Sequence, residues 1–373
     1  MEIIFFSLLF LSIYSYSVYP AVVYILSRLL VNSWHKRDIT PQTTIIISVY
    51  NEETVIGEKV KNTLSLGYPE ESLEIIVISD GSSDRTNEIV SQFKDSRLVL
   101  KAFPERAGKT ACLNRVVPVA KGDIILFTDA NSMFPSDMLA KMVGNFSDDQ
   151  VGLVTGWTKY SIPGETEKAA GIYSRLEMWT KHWESLTSSC VGADGAIFAI
   201  RKTLFKPLKD QDINDFVIPL NVISQSKRVV LDPEVYCFEE PSMDGIREFR
   251  RQSRITNRTL RAIWTNLGFL NPCSYGLFSF FLLSHKLLRF SVPFFITGAF
   301  LINILLLNVS NIYIAFFLIQ IFLFGLGIAD ISGKMKGKLT NICKFFLITL
   351  SAQFIGWIRV FRGFPDTTWT PQR

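Results

Sequence analysis

Three short polar clusters each end a run of β-branched and aliphatic residues. Residues 44–49 lead into Tyr50-Asn51-Glu52-Glu53, residues 73–79 into Asp80-Gly81-Ser82-Ser83-Asp84, and residues 124–127 into Thr128-Asp129-Ala130-Asn131. A carboxylate such as Asp129, with a second oxygen donor two residues on at Asn131, suits a hard divalent cation held against phosphates. An aromatic face such as Tyr50 stacks on a base, and a carboxylate such as Asp80 accepts a base's imide N–H. Gly81 permits close backbone approach. Lys109 follows Gly108 at a helix start, where free backbone N–H groups and a cation favour phosphate. The spacing is not that of a P-loop. Singly, each has a plainer reading: Asp129 caps a helix, Asp80-Gly81-Ser82 is a turn, and Lys109 is solvated.

The elements that must position these clusters are strands. Apolar runs of this length bounded by turn formers are buried strands. They alternate with helical stretches over 51–66 and 84–93 and from Lys109 onward, and 97–102 is a further strand. That alternation predicts an α/β domain with a parallel sheet and helices on its faces. Parallel strands bring all three clusters to one sheet edge, outside the carboxyl ends, where ligands bind in such folds. The second half of the domain reads as a strand over 151–158, a long helix over 165–186 and a strand over 197–201. The helix carries Trp179 and Trp183, whose faces either stack on a ligand's rings or simply pack. Asp194, in Gly192-Ala193-Asp194-Gly195-Ala196, binds a ligand hydroxyl or closes the turn.

The ends of the chain have another character. Of 373 residues, 48% are hydrophobic and 30 are Phe, and the apolar residues gather at the two ends. Residues 3–31 exceed the roughly 20 needed to cross a bilayer, which predicts a transmembrane helix within 1–34. His35, Lys36 and Arg37 follow it, and positive charge marks the cytoplasmic side. The soluble domain occupies 40–241. Over 242–289, Arg247, Arg250, Arg251, Arg254, Arg258 and Arg261 recur at three- and four-residue spacing, the pattern of a basic amphipathic helix on anionic lipid. Residues 290–361 hold further membrane helices, with His285, Lys286 and Arg289 at a cytoplasmic edge and the last segment interfacial or re-entrant. A net charge of +5 without an aromatic-basic pattern argues against nucleic acid. Five scattered cysteines read as free thiols in a reducing compartment.

Taken in order, the clusters at Tyr50, Asp80, Gly108-Lys109-Thr110 with Leu113-Asn114, and Thr128–Asn131 resemble those of the family 2 glycosyltransferases. With the membrane segments, the chain resembles the hyaluronan, chitin, cellulose and poly-N-acetylglucosamine synthases. The resemblance implies the Rossmann-like GT-A fold. It also implies inverting transfer of a sugar from a nucleotide sugar, UDP-linked by preference, to a glycan or lipid-linked acceptor, with the catalytic domain on the cytoplasmic face of the inner membrane.

By the same resemblance Tyr50 and Glu52 hold base and ribose, Asp80 the uracil edge and Lys109 the diphosphate, while Asp129 binds donor and metal. Asn131 stands where the family has a second Asp. Asp215 is the implied general base, in Ile213-Asn214-Asp215 where the family has Thr-Glu-Asp; Asp210 and Asp212 compete for the role. Arg251-Gln252-Ser253-Arg254-Ile255 stands for Gln-x-x-Arg-Trp, so Arg254 is retained and the Trp that stacks on the acceptor in processive synthases is Ile255. Trp369 and Arg373 resemble a segment, within 362–373, that closes over the diphosphate. The departures at Asn131, Asn214, Arg251 and Ile255 keep open a catalytically silent nucleotide- or glycan-binding subunit.

Overall fold

The computed structural model describes residues 1–160, 165–240 and 245–364. They divide into an α/β unit, residues 26–160 and 173–240, and a helical unit, residues 1–25, 165–172 and 245–364.

In the α/β unit seven strands form one sheet: β1 (Thr43–Val49), β2 (Leu73–Asp80), β3 (Leu98–Phe103), β4 (Ile124–Asp129), β5 (Val151–Tyr160), β6 (Phe198–Arg201) and β7 (Arg228–Glu239). Their order is β3-β2-β1-β4-β6-β5-β7. The first four are parallel, as alternation with helices requires. β1 pairs β2 with Val49 opposite Ser79, and pairs β4 with Ser48 opposite Asp129. The polar clusters therefore emerge from three adjacent strands at one edge. The sheet is mixed rather than purely parallel, because β6 runs antiparallel to both β4 and β5.

Ile45, Ile47, Val49, Ile75, Val77 and Leu126 are buried in the principal core. Burying each such aliphatic chain is worth about 1.5–3 kcal/mol, and this fixes the strand register. α3 (Ile56–Leu64) and α6 (Met138–Gly144) supply Ile56, Val60, Met138 and Met142 to the same core. α4 (Thr86–Ser91), α5 (Lys109–Val116), α7 (Glu165–Thr187) and α8 (Asn214–Ile223) complete the chain order. α3 starts five residues later than the sequence suggests. Asn51 takes a left-handed conformation (φ 54°), and residues 51–53 bond across to the next loop instead of entering the helix.

The helical unit corrects several sequence expectations. The apolar run at the N-terminus is two helices, α1 (Glu2–Tyr14) and α2 (Val18–Leu29), bent by 60°. The bend falls at Ser15, which is wholly buried and donates its hydroxyl to Ser284 O at 3.1 Å, while Tyr14 OH and Ser284 Oγ lie 3.1 Å apart. Pro20 is tolerated in the first turn of α2.

After α9 (Gly245–Thr265) come short helices α10 (Pro272–Tyr275) and α11 (Leu277–Leu282), a π-helical turn (Leu283–Leu288), then α12 (Arg289–Leu306), α13 (Asn311–Ile331) and α14 (Lys338–Phe361). His285 and Arg289, expected at an aqueous edge, are buried. α9 is not simply a surface stripe either. It packs Thr256 against Gly356 of α14, Asn257 Nδ2 donates to Phe364 O at 2.9 Å, and Arg258 is buried.

Among the described residues three stretches are long and apolar enough to cross a membrane, Leu277–Leu306, Asn311–Ile331 and Lys338–Phe361, with a fourth if the bent N-terminal pair is one span. On α13, Leu318, Ile319, Phe322 and Ile328 are each more than half exposed. A helix apolar on all sides is at home in lipid.

Candidate active site

The first two clusters interlock. Asn51 N donates to Ser82 Oγ at 3.1 Å and Ser83 N to Asn51 Oδ1 at 2.8 Å. Glu52 N donates to Thr86 Oγ1 at 2.8 Å, Glu53 N to Asp84 Oδ2 at 3.0 Å, and Arg85 N to Glu53 Oε2 at 3.0 Å. The loops after β1 and β2 thus form one platform, with Glu52 buried in it. Asp80 ties the third cluster on. Its carboxylate accepts N–H bonds from Ala107 at 2.7 Å and Gly108 at 2.9 Å. Cys112 Sγ lies 3.4 Å from Asp80 Oδ1, and burial beside that carboxylate pushes the thiol up to about 12. A carboxylate offers about four lone-pair positions, so Asp80 anchors this loop and keeps capacity for a ligand. Gly81 (φ 69°) is required here: a Cβ would lie 2.8 Å from Arg106 N. The Arg106 guanidinium stacks on Tyr50, 3.9 Å from the ring centroid, so one face of Tyr50 is already covered.

Lys109 is the first residue of α5, and its Nζ lies 2.7 Å from Asp129 Oδ1 at the end of β4. Both side chains are partly accessible, at 15% and 28%. The third and fourth clusters therefore meet directly. Among the described residues no three His, Cys, Asp or Glu side chains gather as a metal cage. A cage is not needed where a cation is shared with phosphates, since Mg²⁺ usually takes one or two carboxylates plus substrate oxygens and water. Asp129, with the amide oxygen of Asn131, fits that pattern.

Beneath this pair lies a group that the sequence reading missed. Lys59, on α3, is fully buried, with Nζ 3.3 Å from Thr128 Oγ1 and 3.5 Å from the centroid of Phe134, and bonded to Ser132 O. Burial lowers its pKa to about 7, against the pull of Cys237, Asp129 and Glu239. The available signal was a lysine in phase with Ile56, Val60 and Thr63 on the inward face of an amphipathic helix.

The turn that carries Asp194 is reached through β6. It pairs antiparallel to β4 with Phe127 opposite Phe198. Continuing that register past the paired residues carries the 193–197 turn toward Thr128 and Asp129. In this turn Asp194 accepts from Thr158 Oγ1 at 2.9 Å and Ala196 N at 3.1 Å, and its own N–H donates to Thr155 Oγ1 at 2.8 Å. Burial pushes its carboxyl up, and Lys181 pulls it back in part. The Asp194 side chain thus does close the turn.

Asp215, in the first turn of α8, lies against the same segment. Its Oδ2 is 2.9 Å from where a Cβ on Gly195 would sit, and its carbonyl accepts from Ala193 N at 2.7 Å. The helix cap is Ile213 rather than Asp215. Asp212 is engaged in its own turn, accepting Lys209 N at 2.8 Å. The loop leading to Asp215 is bound to α5: Asn114 Oδ1 accepts Leu208 N at 2.9 Å, Asn114 Nδ2 donates to Leu208 O at 2.7 Å, and Thr110 Oγ1 donates to Asp212 O at 3.2 Å. Lys109 and Asp215 therefore share a scaffold. Asn114→Ala removes both Leu208 bonds and is expected to cost about 1–3 kcal/mol, read as a lower denaturation midpoint.

Other candidates lie elsewhere. Trp179 and Trp183 stack with centroids 6.1 Å apart. With His182 they line a cavity of about 380 Å³ against Ser27, Arg28 and Val31. The opposite face of α7 carries Lys181, whose Nζ lies 3.5 Å from Ala193 O, and Glu184, which accepts Val191 N at 2.8 Å. The structure does not bring the tryptophans to Asp194 or Asp215. Arg254 is on α9 in the helical unit. Trp369 and Arg373 lie outside the described residues.

Residues 44–208 match the family model "Glycosyl transferase family 2". The chain is 29% identical over 184 residues to a probable glycosyltransferase, YdaM, of Bacillus subtilis, covering 46% of this chain and 43% of that one. It is 36% identical over 118 residues to beta-monoglucosyldiacylglycerol synthase of Trichormus variabilis, covering 31% and 25%. It is 27% identical over 205 residues to poly-beta-1,6-N-acetyl-D-glucosamine synthase of Staphylococcus aureus, covering 52% and 49%. The matches span a quarter to a half of these relatives' lengths. Among solved structures, the mannosyltransferase PcManGT of Pyrobaculum calidifontis, in complex with GDP-Man and Mn²⁺, superposes with a TM-score of 0.76 over 97% of this chain and 99% of that one, at 20% identity. At that identity the likeness speaks to the fold, which is GT-A. Residues 44–208 are a family 2 glycosyltransferase domain.

Proposed function

We propose that the chain is a membrane-bound, metal-dependent inverting glycosyltransferase that moves a sugar from a nucleotide sugar to a glycan acceptor in polysaccharide synthesis. The observation that carries this reading is the meeting of Lys109 and Asp129 at one sheet edge, with the loop to Asp215 tied to the helix that Lys109 begins. Tyr50, Glu52 and Asp80 form the nucleoside end of the donor site, and UDP is the donor nucleotide we favour. Lys109 meets the diphosphate. Asp129 and Asn131 would hold Mg²⁺ or Mn²⁺, which supplies Lewis-acid stabilisation of the leaving diphosphate. Asp215 takes the proton of the acceptor hydroxyl as that oxygen attacks the anomeric carbon. One displacement inverts the configuration there. Arg254, Trp369 and Arg373 remain proposed donor contacts. Asp194 acts on the acceptor side by shaping the turn beside Asp215. Lys36 and Arg37, and Lys334, Lys336 and Lys338, flank the apolar segments, which supports a domain on the cytoplasmic face.

A second reading is a non-processive transferase onto a lipid-linked acceptor. Ile255 in place of the stacking Trp favours it, as does 36% identity to a relative named for diacylglycerol glycosylation. The test is nucleotide release from a panel of UDP- and GDP-sugars by the detergent-purified full chain, with Mn²⁺, with Mg²⁺ and with EDTA. Release from one donor, only with metal, is expected. Measurable nucleotide binding without turnover against any glycan or lipid acceptor would favour the silent binding subunit. Absence of nucleotide binding would sink the site.

A further inference from the structure

Asp129 and Asn131 sit on a turn whose two ends are held by one buried cation. Lys59 has three N–H donors, and each has a destination. One meets Thr128 Oγ1 at 3.3 Å, just before Asp129, and one meets Ser132 O, just after Asn131. The third direction is the face of Phe134, 3.5 Å from the ammonium. We propose that Lys59 is the positioning residue of the Asp129–Asn131 turn, fixing the two ends of the segment whose oxygen donors would hold a divalent cation. The inference rests on the metal reading of that turn given above.

The surroundings make this a fixed clamp. Asn62, one turn further along α3, bonds the Phe134 backbone in both directions, at 2.8 and 2.9 Å. On the other side Met133 pairs with Phe238 of β7 through two backbone bonds, at 2.9 and 2.8 Å, and Ser132 Oγ donates to Glu239 Oε1 at 2.5 Å. Residues 132–134 are thus anchored from both flanks. Among the described contacts, only the Lys59 ammonium bonds both the residue before the turn and the residue after it. An aliphatic side chain would fill the same space without the cost of desolvating a cation, so packing alone does not call for an ammonium here. An ammonium that grips two backbone-proximal oxygens does to a metal turn what partners behind a ligand do elsewhere: it sets orientation.

The experiment is Mn²⁺ binding to the full-length detergent-purified protein in the presence of UDP, followed by the loss of the free Mn²⁺ spin-resonance signal. Asp129→Asn is the control, and thermal melting reports folding. Lys59→Met is expected to weaken Mn²⁺ binding by about 10–100-fold while the protein still melts cooperatively. Lys59→Arg is expected not to restore it, because a planar guanidinium cannot direct three donors from the same enclosed point. Thr128→Val, which removes one acceptor and leaves the lysine, is expected to shift affinity the same way by less. It keeps the question decidable if Lys59→Met fails to fold. Wild-type Mn²⁺ affinity in folded Lys59→Met or in Thr128→Val, with loss in Asp129→Asn, would overturn the role of Lys59 and leave the metal site standing. Absence of Mn²⁺ binding to the wild type would instead overturn the metal site, and this inference with it.

Discussion

Asp215→Asn is expected to lower sugar transfer by about 10²–10⁴-fold while leaving nucleotide and Mn²⁺ binding as in the wild type. The substitution keeps the shape of the side chain and removes its basicity. Its surroundings tolerate the change, because Asp215 stands on the first turn of α8 and packs on Gly195, where there is no side chain to displace. The effect should fall on kcat and spare the donor KM, since the proposed base would act on the acceptor. Steady-state kinetics with saturating donor and titrated acceptor would read this split. An undiminished rate would hand the role of base to Asp210 or Asp212. Asp212 is the weaker candidate of the two, because one of its carboxylate oxygens is already engaged by Lys209 N.

Asp129→Asn is the second large effect. It removes the carboxylate of the proposed metal pair and leaves Lys109 facing a neutral amide. Transfer is expected to fall by about 10²–10³-fold, the several kcal/mol that a Lewis acid contributes, and added Mn²⁺ at high concentration should recover part of it. EDTA acting on the wild type should give a comparable loss that Mn²⁺ reverses fully. Asn131→Asp is the reciprocal change. It adds a second carboxylate to the turn and is expected to tighten Mn²⁺ binding. Metal-independent transfer by the wild type, unchanged in Asp129→Asn, would exclude this assignment.

Much of this arrangement was legible in the residues themselves. Strands with apolar runs ending in Tyr50, Asp80 and Asp129 announce a shared edge, because parallel pairing follows from alternation with helices. β7 and the reversal of β6 were not legible, since nothing local states which neighbour a short strand will choose. The bend at Ser15 was hidden by hydropathy: the hydroxyl at the break bonds Ser284, 269 residues away. Trp179 and Trp183 are aromatic and correctly placed on a helix, yet helical phase alone does not say which face meets the acceptor turn. Lys59 was missed because a lysine in an amphipathic helix reads as solvated until the fold encloses it. Asn114 was seen as part of a motif, but its two bonds to Leu208 depend on a loop 94 residues on.

The ion pair between Lys109 and Asp129 bears on the order in which the site fills. In the pair each side chain neutralises the other. If Asp129 takes the metal and Lys109 the diphosphate, as proposed, a free divalent cation would compete with the Lys109 ammonium for the carboxylate, and a free diphosphate would compete with Asp129 for the ammonium. Each ligand releases the partner the other one needs. Metal and nucleotide are then thermodynamically coupled: each raises the affinity of the other by the same factor. On the proposed assignment the Lys109–Asp129 pair is a latch that neither key turns well alone, and that answers to the metal–nucleotide complex as a unit.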